Sequence, residues 1–133
     1  MRVGIVGSRR YENKRKIKEM IFKLKRKFGD DLTIVSGGAG DGADKYARKF
    51  ALELDCKYLE FNPAHTQRNL YSAMRDSYYN KAYHPKYFFQ RNSMLVGFTD
   101  YIVAFVADND PAPGTHHTLT EARKKGKKFI VIS

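Results

Sequence analysis

Apolar positions along the chain fall into five short runs separated by longer amphipathic stretches: Arg2–Val6, Leu32–Val35, Tyr58–Phe61, Tyr101–Ala107 and Phe129–Ile132. Short apolar runs of this kind predict buried strands, and the fourth, apolar throughout, suits a central strand covered on both faces. Between the first two runs, Ile17, Met20, Ile21, Leu24 and Phe28 recur at steps of three and four, the spacing of one buried helical face. This predicts a helix over about Asn13 to Phe28, stopped by Gly29-Asp30-Asp31. After the second run, Ala43, Tyr46, Ala47, Phe50, Ala51 and Leu54 repeat the pattern, giving a helix to about Asp55. A third helix carries Arg91-Asn92-Ser93-Met94-Leu95 into the fourth strand, with Leu95 and Phe98 facing inward. A last helix runs from about Thr115 to Lys125 and stops at Gly126. Strands alternating with helices predict an α/β fold, a five-stranded parallel sheet with helices on both faces.

One stretch, about 62–89, resists this reading. It holds Tyr71, Tyr78, Tyr79, Tyr83, Tyr87, Phe88 and Phe89 with Arg68, Arg75, Lys81 and Lys86 interleaved. Such a mixture serves packing or a subunit interface, a lid over a ligand, or a platform for nucleic-acid bases. It is treated as an aromatic-rich insertion in one domain spanning 1–133.

With 133 residues and 42% hydrophobic residues the chain can bury a proper core. No apolar run approaches the roughly 20 residues needed to span a bilayer, and the start passes into a strand pattern with no cleavable signal, so a soluble, cytoplasmic protein is expected. The single cysteine, Cys56, allows no internal disulfide and reads as packing. Net charge is +11, and eight of the 25 Lys and Arg residues lie between Lys14 and Lys27 on the outer face of the first helix. That face reads first as solvated surface, with nucleic acid a possible but unfavoured partner.

The candidate chemistry lies at the carboxyl ends of the strands, where ligands bind in parallel sheets. Ser36-Gly37-Gly38-Ala39-Gly40-Asp41-Gly42-Ala43-Asp44 joins the second strand to the second helix. A helix start offers unpaired N–H groups and the positive end of the dipole, and glycines let a ligand approach the backbone, so the expected guest is an anion. The loop lacks the Gly-Lys-Ser/Thr of a P-loop. Gly7-Ser8-Arg9 after the first strand offers a hydroxyl, backbone donors and a guanidinium. Pro113-Gly114-Thr115 places similar donors at the last helix. His65 and His84 have no partner at metal-ligand spacing, so no metal is assigned and no cofactor is expected.

Gly7-Ser8-Arg9, the loop from Ser36 to Asp44, Arg91-Asn92 and Gly114-Thr115 stand in an order that resembles the SLOG superfamily, and within it the YspA-type (cpYpsA-related) group of small bacterial and phage proteins. The resemblance implies a Rossmann-like three-layer sandwich, a homodimer or larger assembly, and a nucleotide or nucleotide-derived ligand held across these loops. Some relatives are LOG phosphoribohydrolases that cleave the N-glycosidic bond of nucleoside 5′-monophosphates; others sense nucleotides, and the related DNA-processing protein binds single-stranded DNA. LOG enzymes carry a catalytic arginine where Arg91 stands. Their Gly-Gly-x-Gly-Thr loop is followed by Leu-Glu-Glu, whereas Gly114-Thr115 is followed here by His116-His117-Thr118, with Glu121 a turn further on.

The resemblance therefore implies binding through Gly7, Ser8, Arg9, Ser36, Gly37, Gly38, Ala39, Asp41, Gly42, Asp44, Arg91, Asn92, Gly114, Thr115 and Thr118, with Asp44 a candidate acceptor for a ribose hydroxyl. The rival is a nucleoside 5′-monophosphate N-glycosidase, in which Arg91 and Glu121, or Asp44, would be catalytic. Cleavage through a cationic sugar needs a carboxylate beside it, and without a matched glutamate binding is favoured over catalysis.

Overall fold

The computed structural model describes residues 1–133. Its elements are β1 (Arg2–Gly7), α1 (Lys14–Phe28), β2 (Thr33–Ser36), α2 (Gly42–Glu53), β3 (Lys57–Glu60), α3 (Lys86–Phe98), β4 (Tyr101–Phe105), α4 (Pro113–Lys124) and β5 (Lys128–Ile132). All five strands are parallel, in the order β3-β2-β1-β4-β5. The result is the parallel α/β sheet that the alternating pattern predicts, and the Rossmann-like sandwich that the resemblance implies.

Period-two alternation decides which residues enter which layer. Val3 and Ile5 of β1, Ile34 of β2, and Val103 and Phe105 of β4 point to one face, where they meet Ile17 and Ile21 of α1 and Ala43, Ala47, Phe50 and Ala51 of α2. Val6, Val35, Ile102 and Ala104 point to the other face, against Leu95 and Val96 of α3 and Leu119 and Ala122 of α4. Helix α1 starts where the Asn13 side chain accepts the Lys16 N–H and ends at Gly29, whose φ of 59° suits glycine. No helix is long and apolar enough to cross a membrane.

Two boundary differences bear on the crevice described below, besides smaller shifts elsewhere. Strand β4 ends at Phe105, so Val106 and Ala107 already belong to the loop beyond it. Helix α3 begins at Lys86 and takes in Tyr87, Phe88 and Phe89, the last part of the aromatic stretch. The remainder of that stretch folds back along the sheet edge: Glu60 donates its N–H to Tyr71 and accepts that of Ala73, both at 2.8 Å. Its rings differ in burial, from Tyr79, which is buried, to Tyr83, which is exposed. Tyr71 meets Tyr58 edge-on, and Tyr83, Tyr87 and Phe88 surround His65.

The chain builds β1, β2 and β3 outward in one direction and then returns to place β4 on the other side of β1. The strand order reverses between β1 and β4, and a crevice opens beyond their carboxyl ends.

Candidate functional site

Three loops meet at that crevice. The β1–α1 loop crosses the start of α2, where the Ala43 N–H donates to the Ser8 carbonyl at 3.1 Å. The approach requires glycine at Gly42, which has a φ of 62° and whose missing Cβ would run into the Ser8 and Arg9 backbone. Gly38, at a φ of 74°, likewise rests against the Asn62 and Glu60 side chains with no room for a Cβ. The β4–α4 loop closes the opposite side, with Pro113 in the first turn of α4.

Helix α3 ties the walls together through two adjacent side chains. Arg91 donates from Nη1 to the Gly37 carbonyl at 2.6 Å, and Asn92 donates from Nδ2 to the Gly114 carbonyl at 3.3 Å. Arg91 Nε also donates to Asn92 Oδ1 at 2.9 Å, which locks the two together. Asn92 Nδ2 further meets His117 Nδ1 at 3.1 Å; an amide nitrogen only donates, so His117 carries its proton on Nε2, facing Glu121 Oε1 at 3.6 Å.

The enclosed cleft has a volume of about 560 Å³. Of the residues singled out in the sequence, Gly7, Ser8, Arg9, Gly37, Ala39, Asp41, Asp44, Arg91, Asn92, Gly114, Thr115 and Thr118 line it together. Four do not. Ser36 is buried behind the loop, bonded to the Tyr58 hydroxyl at 2.7 Å and accepting the Gly38 N–H at 3.1 Å. Gly38 and Gly42 shape the loop from behind it. Glu121 faces a separate shallow groove with Phe89, Gln90, Ser93, Met94 and His117, because it lies on the flank of α4 turned away from the sheet's switch point.

Pro113, named with Gly114 and Thr115 in the sequence, also lines the cleft; the residues that the sequence does not single out as site residues are Arg10, Asp110 and an apolar wall of Val6, Phe88, Phe89, Leu95, Pro111 and Ala112. Arg10 follows directly on Gly7-Ser8-Arg9, and Asp110 stands three residues before Pro113. Phe88 and Phe89 could be placed only once α3 was seen to begin at Lys86.

The charges in the cleft are balanced and their environments differ. Burial pushes the Asp44 carboxyl above its ordinary value of 3.8, against the pull of Arg91 and of the Ala39 N–H that Asp44 accepts at 3.1 Å. Burial also lowers the Arg91 guanidinium, and Asp44 opposes that shift. The Asp110 carboxyl is held below its ordinary value by the Ser8 hydroxyl and then the Ala112 N–H. Arg9 and Arg10 are exposed at the mouth and form no ion pair. The Lys14 to Lys27 face lies on α1, in the layer on the other side of the sheet from α3 and α4.

Solved structures share the fold. The chain matches DNA processing protein A from Helicobacter pylori, described for its single-stranded DNA binding mode, with a TM-score of 0.72 and 22% identity over 98% of this chain. It spans 64% of that protein's length. The molybdenum cofactor binding protein of the phototrophic bacterium Rippkaea orientalis matches with a TM-score of 0.69 at 19% identity, over 98% of this chain and 74% of that one. The molybdenum cofactor carrier protein of Chlamydomonas reinhardtii matches with a TM-score of 0.66 at 16% identity, over the same shares. No curated protein matches the sequence. A family model does match residues 1–67, half of the chain, and these hold both the Gly7-Ser8-Arg9 turn and the glycine loop. The chain belongs to the YspA, cpYpsA-related SLOG family.

Proposed function

We propose that the cleft binds a nucleotide or nucleotide-derived small molecule. One observation carries the reading: neighbouring side chains of α3, Arg91 and Asn92, bond the two glycine-bearing loops at 2.6 and 3.3 Å, so both loops face one space. Two helix starts, α2 and α4, direct the positive ends of their dipoles toward it. Arg9 and Arg10 supply free guanidinium groups for phosphate, and Phe88, Phe89 and Leu95 offer an apolar wall for a base. Asp44, beside Arg91, accepts a ribose hydroxyl. A volume of about 560 Å³ falls in the range of small-molecule sites.

Calorimetry against nucleoside mono- and diphosphates, cyclic nucleotides and ADP-ribose derivatives tests this. Saturable binding that is lost in Arg91→Ala is expected, and the absence of heat with every member would overturn it. Because structural neighbours are described as binding single-stranded DNA and molybdenum cofactor, an oligonucleotide and that cofactor belong in the same panel. A homodimer or larger assembly is part of the reading and is measured by light scattering.

A second reading, N-glycosidic cleavage of a nucleoside 5′-monophosphate, is favoured by one feature. Arg91 and Asp44 flank Gly37 in the cleft, and a carboxyl raised by burial is suited to donate a proton to a leaving base. Glu121 has no part in it. Chromatography that detects no free base from any common nucleotide removes this reading.

A further inference from the structure

Ser8 is only 3% exposed, and its hydroxyl turns toward the cleft, where it donates to Asp110 Oδ2 at 2.5 Å. The same hydroxyl oxygen accepts the Arg10 N–H at 3.1 Å. Asp110 Oδ1 accepts the N–H of Ala112, the residue capping the start of α4, at 2.9 Å. Arg10 adds a favourable charge, and the Asp110 carboxyl is ionised at neutral pH. The groups that would receive a phosphate on this wall are a buried hydroxyl, a backbone N–H at a helix start and a guanidinium. The hydroxyl and the N–H already serve a carboxylate of the chain's own, and the guanidinium adds its charge without an ion pair.

We propose that Asp110 is an internal anion occupying the phosphate position of the cleft, and that a ligand's phosphate enters by displacing it, with the segment Asp108–Ala112 moving outward. This rests on the nucleotide-binding reading above.

The backbone around Asp110 is suited to that movement. Asn109 and Ala112 have φ values of 62° and 37°, left-handed conformations that residues other than glycine adopt at a cost. The side-chain bonds of Asp110 to Ser8 and Ala112 hold the segment in this shape, and Asp108 and Asn109 are open to solvent. Asp44, the other carboxylate that takes a backbone N–H in the cleft, has no such freedom. It sits within a regular helix, close behind Gly37 and beside Arg91.

The device also selects. A neutral nucleoside has no charge with which to replace a carboxylate on these donors, whereas a phosphate has both the charge and the acceptor oxygens. Removing the Asp110 charge should therefore help phosphate and leave a nucleoside unaffected. A residue whose role is only to hold the loop predicts the reverse, since loosening the wall weakens every ligand.

The test is titration of inorganic phosphate, AMP and adenosine into the wild-type protein, Asp110→Asn and Asp110→Ala, following the Ser8, Arg10 and Ala112 amides by NMR, with thermal melts to verify folding. About tenfold tighter phosphate and AMP binding in both variants is expected. Adenosine affinity should be unchanged, and the wild-type Ala112 amide should shift at saturation. Phosphate binding that is equal or weaker in the variants, or a wild-type Ala112 amide that does not move, overturns the displacement. If AMP still binds the wild-type cleft in that case, the nucleotide reading stands and only Asp110's role falls. If neither these probes nor any nucleotide of the calorimetric panel binds any of the three proteins, both readings fall together.

Discussion

On the β2–α2 side of the cleft, Gly37 and Gly38 rest on a buried chain of hydrogen bonds, whereas on the β4–α4 side the wall is held by fewer, part-buried bonds. The first chain runs from Ser36 through the Tyr58 hydroxyl to Glu60, which is 1% exposed. Glu60 accepts from Tyr58 at 2.9 Å, Asn62 at 3.0 Å and Asn69 at 2.9 Å, with the Arg48 guanidinium at 3.5 Å. The second wall depends on Asp110 with Ser8, and on Asn92 with Gly114. The first wall is thus bound into the folding of the domain, and the second rests on fewer bonds. Substitutions in the first should cost stability, and those in the second should change binding.

The largest expected effect tests the first half of this comparison. Glu60→Ala leaves the Tyr58 hydroxyl and the Asn62 amide buried without their acceptor, each costing about 1–3 kcal/mol, and deprives the half-buried Asn69 amide of its partner. A loss of about 3–5 kcal/mol is expected, read as a lower urea midpoint. A loss under about 1 kcal/mol would mean that the wall is not tied to the core.

The two walls were not equally legible in the sequence. Both loops could be read as anion sites because a strand, a glycine turn and a helix leave a local pattern. The sheet was legible for the same reason, since β1, β2 and β4 each coincide with a short, largely apolar run. Glu60 was passed over because it stands in an apolar run, and its partners Asn62, Asn69 and Tyr58 come together only when the chain folds back along β3. Asp110 was passed over because its partner Ser8 lies 102 positions away. Glu121 is a candidate through the resemblance to the LOG loop and helical spacing, and neither says which flank of α4 faces the cleft.

Gly37→Ala comes next in size and acts where the first wall meets Arg91. A Cβ at Gly37 would lie 2.5 Å from Arg91 Nη1 and 2.9 Å from Asp44 Oδ2, so Arg91 must leave the Gly37 carbonyl. A stability loss of about 1–3 kcal/mol is expected from the crowding. At least a tenfold loss of ligand affinity should accompany it, because the link between the walls is broken. Wild-type affinity in a folded Gly37→Ala protein would show that Arg91 does not set the cleft's shape.

The smallest effect separates the walls by pH. The Asp44 carboxyl is raised above 3.8, so the native state keeps its proton to a higher pH than the unfolded chain does. Across the window from 3.8 up to the raised value the native state binds more protons, and stability falls as pH rises. The Asp110 carboxyl is lowered, so its contribution is present above 3.8 and is lost as pH falls through the lowered value. Urea midpoints measured in steps from acid to neutral pH for the wild type, Asp44→Asn and Asp110→Asn should therefore diverge in opposite directions. Relative to Asp44→Asn, the wild type loses stability as pH rises out of the acid range; relative to Asp110→Asn, it gains. Two curves that move the same way would mean that the carboxylates share one environment, and the contrast between the buried wall and the part-buried one would not survive it.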